Sequence, residues 1–466
     1  MGLMSGWSRR TFLTALGAIS GSALTPAKMH GAGIFGKKYK PFMSPIDGHP
    51  IVPITSGLGS TGDIYAELGV TPLININGTI TVLGGTVMKP EVMELIRQGN
   101  QHFVSIDALE IAAGKFIANL CKSPKGYTGL VTGGAAAALL VGYAGMMTED
   151  YDERLQAVPD VTGCPRTEVI IQKSHRYPFD HQIRQTGARL VEVETREQMI
   201  NAINPKTVAI HFTNILSGGG QVDGPETVAI AKAHNIYTFN DASADVPPVE
   251  RLWKYPEVGF DLTTFSGGKD ICGPQASGIL IGREDLIRYS LLNMSPQEDR
   301  IGRCCKVGKE TIFGLLKALE IFVNQNYPET LRKYNERAAV ISDAVAKYGV
   351  TVLPREFNPD ALGNVTPNYR WRIDPARLNL TGKQVLEQLA ATRPLGIGST
   401  GAGVGGMRGR HSDDRKGPKP GGAWPEPKGP KPDPQVFGFA VWQLKEGEDQ
   451  VIADRLEEIC RGAKKV

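Results

Sequence analysis

The chain has 466 residues, with 52 Lys plus Arg against 48 Asp plus Glu and a formal net charge of +4. That length bounds two or three domains around a large core, and the charge balance, without a basic stripe interleaved with aromatics, gives no reason to expect a nucleic-acid partner. Six cysteines, none in Cys-x-x-Cys and none at zinc-like spacing from a histidine, argue against a metal site or a disulfide framework.

At the N-terminus, Ser8-Arg9-Arg10-Thr11-Phe12-Leu13 opens an apolar, small-residue run that reaches Leu24. Paired arginines before such a run have the form of a twin-arginine export signal, placed at residues 1–30. The run is too short, and too interrupted by Gly17 and Gly21, for a stable membrane span. The expected location is periplasmic or otherwise extracytoplasmic, reached already folded. Without the signal reading the chain stays cytoplasmic. Residues 31–70, with Lys37, Lys38 and Lys40 among Gly and Pro, read as an arm or linker that ends in a short helix from Ile64.

A large domain is expected over 71–310. Pro72 to Thr79 reads as a strand with an Asn77-Gly78 turn. Pro90 opens one helix, and Ile106 to Leu120 form a second. Thr132-Gly133-Gly134-Ala135 is a turn feeding a helix, Ala135 to Met147, that is almost entirely apolar or small. Free N–H groups at such a helix start, with the helix dipole, favour an anion, and small residues let a phosphate approach the amides. Gly133, Gly134 and Ala135 are therefore the candidate phosphate cradle. The turn lacks the Lys-Ser/Thr of a nucleotide P-loop and any Gly-x-Gly-x-x-Gly fingerprint.

From Thr167 to Ile281, short apolar strands alternate with helices. Strands fit Thr167–Gln172, Ala188–Val193, Thr207–Phe212, Ile236–Asn240, Phe260–Phe265 and Ser277–Ile281. This alternation predicts an α/β fold with a mostly parallel sheet covered on both faces. Ligand groups in such a sheet sit at strand ends. His175, Asn214, Asp241 and Lys269 all fall there. Lys269, in Ser266-Gly267-Gly268-Lys269, lies between two strands among small residues, an arrangement suited to a Schiff-base lysine carrying pyridoxal 5'-phosphate (PLP). Asp241 would keep the pyridine nitrogen protonated and the ring an electron sink, with Asp245 a substitute further along the loop. His175 is the candidate to stack on the ring, Asn214 to reach its phenolic oxygen, and Ser266 to bind phosphate. Ser243 either hydrogen-bonds nearby or caps the turn. His181 reads as a solvated helix position and His211 as structural.

Ser266-Gly267-Gly268-Lys269-Asp270, Gly273-Pro274-Gln275 and Gly278, with Gly302-Arg303 and Lys306-Val307-Gly308-Lys309-Glu310, resemble the selenocysteine synthase-like group of fold-type I PLP enzymes. That group includes seryl-tRNA selenium transferase and the D-glucosaminate-6-phosphate ammonia lyase branch. The resemblance runs from about Leu73 to Gln325 and returns in the last segment. It implies that Lys269 carries PLP, that Asp241 faces the pyridine nitrogen and that Gly133 and Gly134 hold phosphate. It further implies a homodimer or higher homo-oligomer with sites near subunit interfaces. Two departures put a tRNA reaction in doubt. A signal-like segment and arm stand where the transferase has a tRNA-binding domain, and residues 399–434 form an insertion.

Residues 311–466 are expected to be a linking helix and a small α/β domain. Thr311–Asn324 and Glu329–Lys347 are helices. Val350–Leu353, Tyr369–Ile373 and Val436–Leu444 are strands, with further helices at Gly382–Ala390 and Glu448–Arg461. The Gly/Pro-rich, basic insertion reads as a long loop, and Arg393 is a candidate for a substrate carboxylate. The expected activity is α,β-elimination from a small amino acid or amino sugar acid. A PLP transferase, selenocysteine synthase-like or aminotransferase, is the alternative. A non-catalytic exported protein on the same fold is a third reading.

Overall fold

The computed structural model describes residues 58–59, 61–214, 220–354, 368–391, the backbone of 396–398, and 433–463. The signal segment, most of the arm, Arg393 and all but the last two residues of the 399–434 insertion lie outside the described residues. The chain divides into two units, Met1–Pro72 and Leu73–Val466. The described part of the first holds one helical turn, Ile64–Glu67, whose Asp63 carboxylate accepts the amides of Tyr65 and Ala66.

The second unit carries the strands β1 (Leu73–Asn75), β2 (Tyr127–Thr132), β3 (Glu168–Gln172), β4 (Arg189–Val193), β5 (Thr207–Thr213), β6 (Tyr237–Asp241), β7 (Leu262–Ser266) and β8 (Gly278–Arg283), followed by β9 (Val350–Val352), β10 (Asn368–Ile373), β11 (Gly396–Gly398) and β12 (Val436–Ala440). Strands β2 to β8 make a seven-stranded sheet in the order β2-β8-β7-β6-β5-β3-β4. All neighbours are parallel except at β8, which runs antiparallel to both β2 and β7. The sheet is thus mostly parallel, as expected. Strands β3 and β5 are buried at every position, which explains their continuous apolar runs.

The helices that matter to the site are α1 (Pro90–Gly99), α2 (Ile106–Leu120), α3 (Ala135–Thr148), α4 (Arg251–Val258), α5 (Glu284–Leu292) and α6 (Lys309–Val323). Helix α3 is buried from Ala137 to its end and lies on the sheet with Tyr143 stacked on Phe239 at 5.0 Å. Helix α2 covers the outer edge strand β2, and Glu110 on it accepts the Val131 amide at 3.1 Å. That bond occupies an otherwise open edge donor. The elements not foreseen include β2, β11, α4 and α5.

A second core belongs to the antiparallel sheet β12-β10-β9, packed by α7 (Tyr327–Ala346), α8 (Gly382–Ala391) and α9 (Glu448–Gly462). Trp371 is its fully buried centre, stacked at 4.6 Å on Phe439 and donating from Nε1 to Ser342 at 3.0 Å. Ile74 and Ile76, at the start of the unit, are buried in this core, and β1 pairs in parallel with β11. The small lobe therefore draws residues from both ends of the unit.

Candidate active site

Register places the site. Thr132 at the end of β2 pairs with Gly278 at the start of β8, and Gly278 pairs with Ser266 at the end of β7. On the other side, Thr264 of β7 pairs with Asp241 at the end of β6, and Asp241 pairs with Thr213 at the end of β5. The carboxyl ends of β2, β7, β6, β5 and β3 thus share one edge of the sheet, where ligands of open α/β sheets bind. At about 4.8 Å between strands, the turn after Thr132 and the residue Ser266 stand roughly 10 Å apart.

The turn after β2 leaves amides that could hold an anion. Gly134 caps α3 at φ +116° and supplies no side-chain hydrogen bond to the first amides, which have no intrahelical partner. Residues 133–136 are half-buried, whereas the helix beyond them is closed off. Gly278 presses on this turn from the neighbouring strand. A Cβ there would fall 2.6 Å from the Gly134 carbonyl carbon and 2.7 Å from the Ala135 nitrogen.

Lys269 lies on the turn that follows β7. The loop is closed by the Gly267 amide on the Ser277 carbonyl at 2.9 Å and the Gly273 amide on the Gly267 carbonyl at 2.8 Å. Desolvation pushes the half-buried Lys269 amine below the ordinary lysine range, against the pull of Asp241, Asp245 and Asp270. A fraction of neutral amine, the nucleophilic form, is thereby favoured.

Asp241 is buried. Its Oδ1 accepts the Ser243 amide at 2.9 Å, and its Oδ2 accepts the Tyr177 hydroxyl. The Ser243 carbonyl in turn accepts the Ser266 amide at 3.3 Å. Asp245, the substitute on the same loop, is engaged elsewhere. Its Oδ2 accepts the Tyr255 hydroxyl at 3.0 Å, Arg251 donates to its carbonyl at 2.9 Å, and burial lifts its carboxyl to about 6.

His175 ends the turn after β3 and is fully buried. Its Nδ1 accepts the Thr213 amide at 3.3 Å, its edge meets Phe212 at 4.8 Å, and Nε2 has no partner among the described residues. Burial, reinforced by His211, takes it to about 3, so the ring is neutral. Asn214 follows Thr213; its Nδ2 is buried without a hydrogen-bond partner among the described residues, although the amide lies near enough to Asp245 to help hold that carboxyl down. His211 is buried between the Tyr143 hydroxyl at 2.8 Å and Thr213 Oγ1 at 3.0 Å. His181 is exposed.

The sheet edge therefore carries Gly133, Gly134, Ala135, Ser266, Asp241, Ser243 and Asn214, with Lys269 on the turn leaving β7 and His175 beyond β3. These groups fit PLP. The open amide turn suits a phosphate, the buried carboxylate a ring N–H, the unpartnered amide a phenolic oxygen, and the desolvated lysine a carbonyl. Sequence reasoning missed Tyr177, whose one local signal is its place two residues after His175.

The family profile described as SelA, L-seryl-tRNA selenium transferase, matches residues 73–341. A D-glucosaminate-6-phosphate ammonia lyase of Salmonella typhimurium (strain 14028s / SGSC 2262) is 29% identical over 342 residues, which are 71% of this chain and 87% of the relative. A 5'-C-glycyluridine monooxygenase-decarboxylase of a Streptomyces species is 27% identical over 343 residues, 71% of this chain and 82% of that protein. A solved structure of D-glucosaminate-6-phosphate ammonia-lyase superposes with a TM-score of 0.68 at 26% identity, covering 86% of this chain and 99% of that one.

Proposed function

The chain belongs to the SelA, L-seryl-tRNA selenium transferase, family, and we propose that this member is a lyase removing a β-substituent from a small amino acid or amino sugar acid. It is a PLP-dependent enzyme of the lyase or transferase type. One observation carries the reading: Lys269 and Asp241 follow or end adjacent parallel strands, two and three strands from the strand that leads into an uncapped helix start. The ammonia lyase match, which spans nearly all of that relative, favours elimination over transfer.

When bound, PLP supplies a carbonyl for an amino group and a ring that draws off an electron pair from the substrate's α-carbon. The amides of the first turn of α3 and the Ser266 hydroxyl would hold the phosphate. Asp241 would hold the ring nitrogen's proton, Asn214 would reach the phenolic oxygen, and neutral His175 would pack the face without adding charge. Lys269 Nζ, left as a neutral amine by desolvation, would be the base that takes the α-proton. Departure of the β-substituent and hydrolysis then give a keto acid and ammonia.

Two further parts of the proposal concern assembly and location. The exposed apolar side chains Val82, Val87, Met93, Phe103 and Ile111 cluster in one stretch of sequence, and the loop that leads into it is tied to the lysine turn by Gln275 Nε2 on the Thr81 carbonyl at 2.9 Å. A second copy seated there would border the site; Phe103→Asp should give a smaller species in sedimentation. Export rests on Ser8-Arg9-Arg10-Thr11-Phe12-Leu13; Arg9→Lys with Arg10→Lys should leave the protein in the cytoplasmic fraction. Among the described residues no helix is long and apolar enough to cross a membrane.

The deciding experiment mixes PLP-loaded protein with D- and L-amino acids and amino sugar acids without added nucleophile. Release of keto acid and ammonia is expected. Activity that strictly needs seryl-tRNA and a selenium donor would replace the lyase with the transferase, and absence of PLP binding would overturn both.

A further inference from the structure

Both oxygens of Asp241 are engaged from within the chain, Oδ1 by the Ser243 amide and Oδ2 by the Tyr177 hydroxyl.

 Tyr177 is buried, and its ring stacks on His211 at 5.9 Å and 20°. His211 is itself fixed by Tyr143 and Thr213. The phenol therefore stands on a packed column, and its hydroxyl meets a carboxylate 64 residues away in sequence.

We propose that Tyr177 is a positioning residue for Asp241, fixing the carboxylate so that its remaining lone pair faces the ring nitrogen of the bound cofactor. The proposal rests on the PLP reading above. A buried carboxylate held at one oxygen only can rotate about its last bond, and each orientation presents a different lone pair. Held at both oxygens by donors from two loops, it offers a third donor one fixed direction. Burial and the adjacent Asp241 raise the Tyr177 phenol well above the ordinary tyrosine range, so the hydroxyl stays a donor through the working pH range. Burial keeps His211 neutral, at about 4, so the column puts no positive charge beside Asp241 in competition with the pyridinium. Tyr143, Asp180 and Asp241 are the titratable groups that act on Tyr177.

The test compares Tyr177→Phe with Tyr143→Phe. Both remove one buried hydroxyl from the same column, but Tyr143 touches His211 and not Asp241. PLP affinity is read by titration, and the pH dependence of the bound cofactor's visible absorbance is read alongside it. Tyr177→Phe should weaken PLP binding about tenfold or more, the scale of a hydrogen bond to a charged group, and should displace the absorbance profile. Tyr143→Phe should change neither, although both variants lose stability. In an Asp241→Asn background, Tyr177→Phe should add little further loss, because the coupled pair is already broken. Equal PLP affinity and an unchanged profile in Tyr177→Phe would overturn the proposal. A parent protein that binds no PLP would instead overturn the functional reading, so the two failures are distinguishable. Should Tyr177→Phe not fold, Tyr177→His, which retains a ring and a donor, takes its place, and the same two readouts decide.

Discussion

The Ser266 amide donates to the Ser243 carbonyl at 3.3 Å, which ties the turn carrying Lys269 to the turn leaving Asp241. The two groups with the most direct roles in the proposed chemistry thus sit on loops braced against each other by backbone alone. Side-chain substitutions in either loop leave that brace in place, so they can be read as changes in chemistry.

Lys269 is the first case. Its amine, desolvated and below the ordinary lysine range, should react with a small acylating reagent at lower pH than other lysines, as mapped by peptide mass spectrometry in the cofactor-free protein. Borohydride treatment of the loaded protein should attach PLP at Lys269, and Lys269→Ala should leave no covalent label. A label found at another lysine would displace Lys269 from its role.

Gly278→Ala tests the phosphate turn without touching it chemically. The added methyl meets backbone atoms of Gly134 and Ala135, which cannot yield as a side chain would. The start of α3 should shift, with about 1–3 kcal/mol lost from stability and a loss of about tenfold or more in PLP affinity by titration. Retention of parental affinity would mean that the turn does not hold the phosphate.

Glu110 sets a pH dependence of stability. Burial, partly opposed by its bond from the Val131 amide, raises its carboxyl from 4.5 to about 8, and its Oε1 has no hydrogen-bond partner among the described residues. A raised carboxyl binds more protons folded than unfolded. Its contribution is therefore present in full below pH 4.5 and is lost as pH rises through about 8. Glu110→Gln keeps an acceptor for Val131 and cannot ionise. The variant should gain on the parent with rising pH, by on the order of 3–5 kcal/mol at pH 9, in denaturant unfolding. A gap that does not change with pH would show that Glu110 is not held neutral.

His175 and His211 pull the other way. Their folded values, about 3 and about 4, lie below the ordinary 6.5. The stability they contribute is present above pH 6.5 and is lost as pH falls through about 4 and then 3. Their ring signals in NMR should stay in the neutral form down to about pH 5. A midpoint above 6 for either ring would contradict its burial.

Much of the site was legible because its parts are local. Asp241 ends an apolar strand, Lys269 follows one, and Gly133-Gly134 precedes an apolar helix, each readable within about ten residues. Strand β2 was not legible. Its centre is Gly129, which weakens a strand pattern; the structure needs glycine there because Ile117 of α2 would lie 2.7 Å from a Cβ. Helix α4 contains Pro256, a breaker in any sequence pattern. Tyr177 escaped for a different reason. Its meaning lies in a partner at the end of the third strand to follow it, and no local signal carries such a pairing. The antiparallel sense of β8 was equally hidden, since its apolar run reads the same in either direction.

That reversed strand has a consequence for how the molecule is made. Among the described residues strand β2 has no sheet neighbour other than β8, so a chain still growing on the ribosome would hold the proposed phosphate turn unanchored while β3 to β7 are already available to pair. A nascent chain released at Cys272 would carry Asp241 and Lys269 but not the strand that joins them to Gly134. Cofactor capture is thereby postponed until translation has passed Arg283. Long-range pairing of this kind is slow to form, and chains truncated before and after β8 should differ sharply in retained PLP.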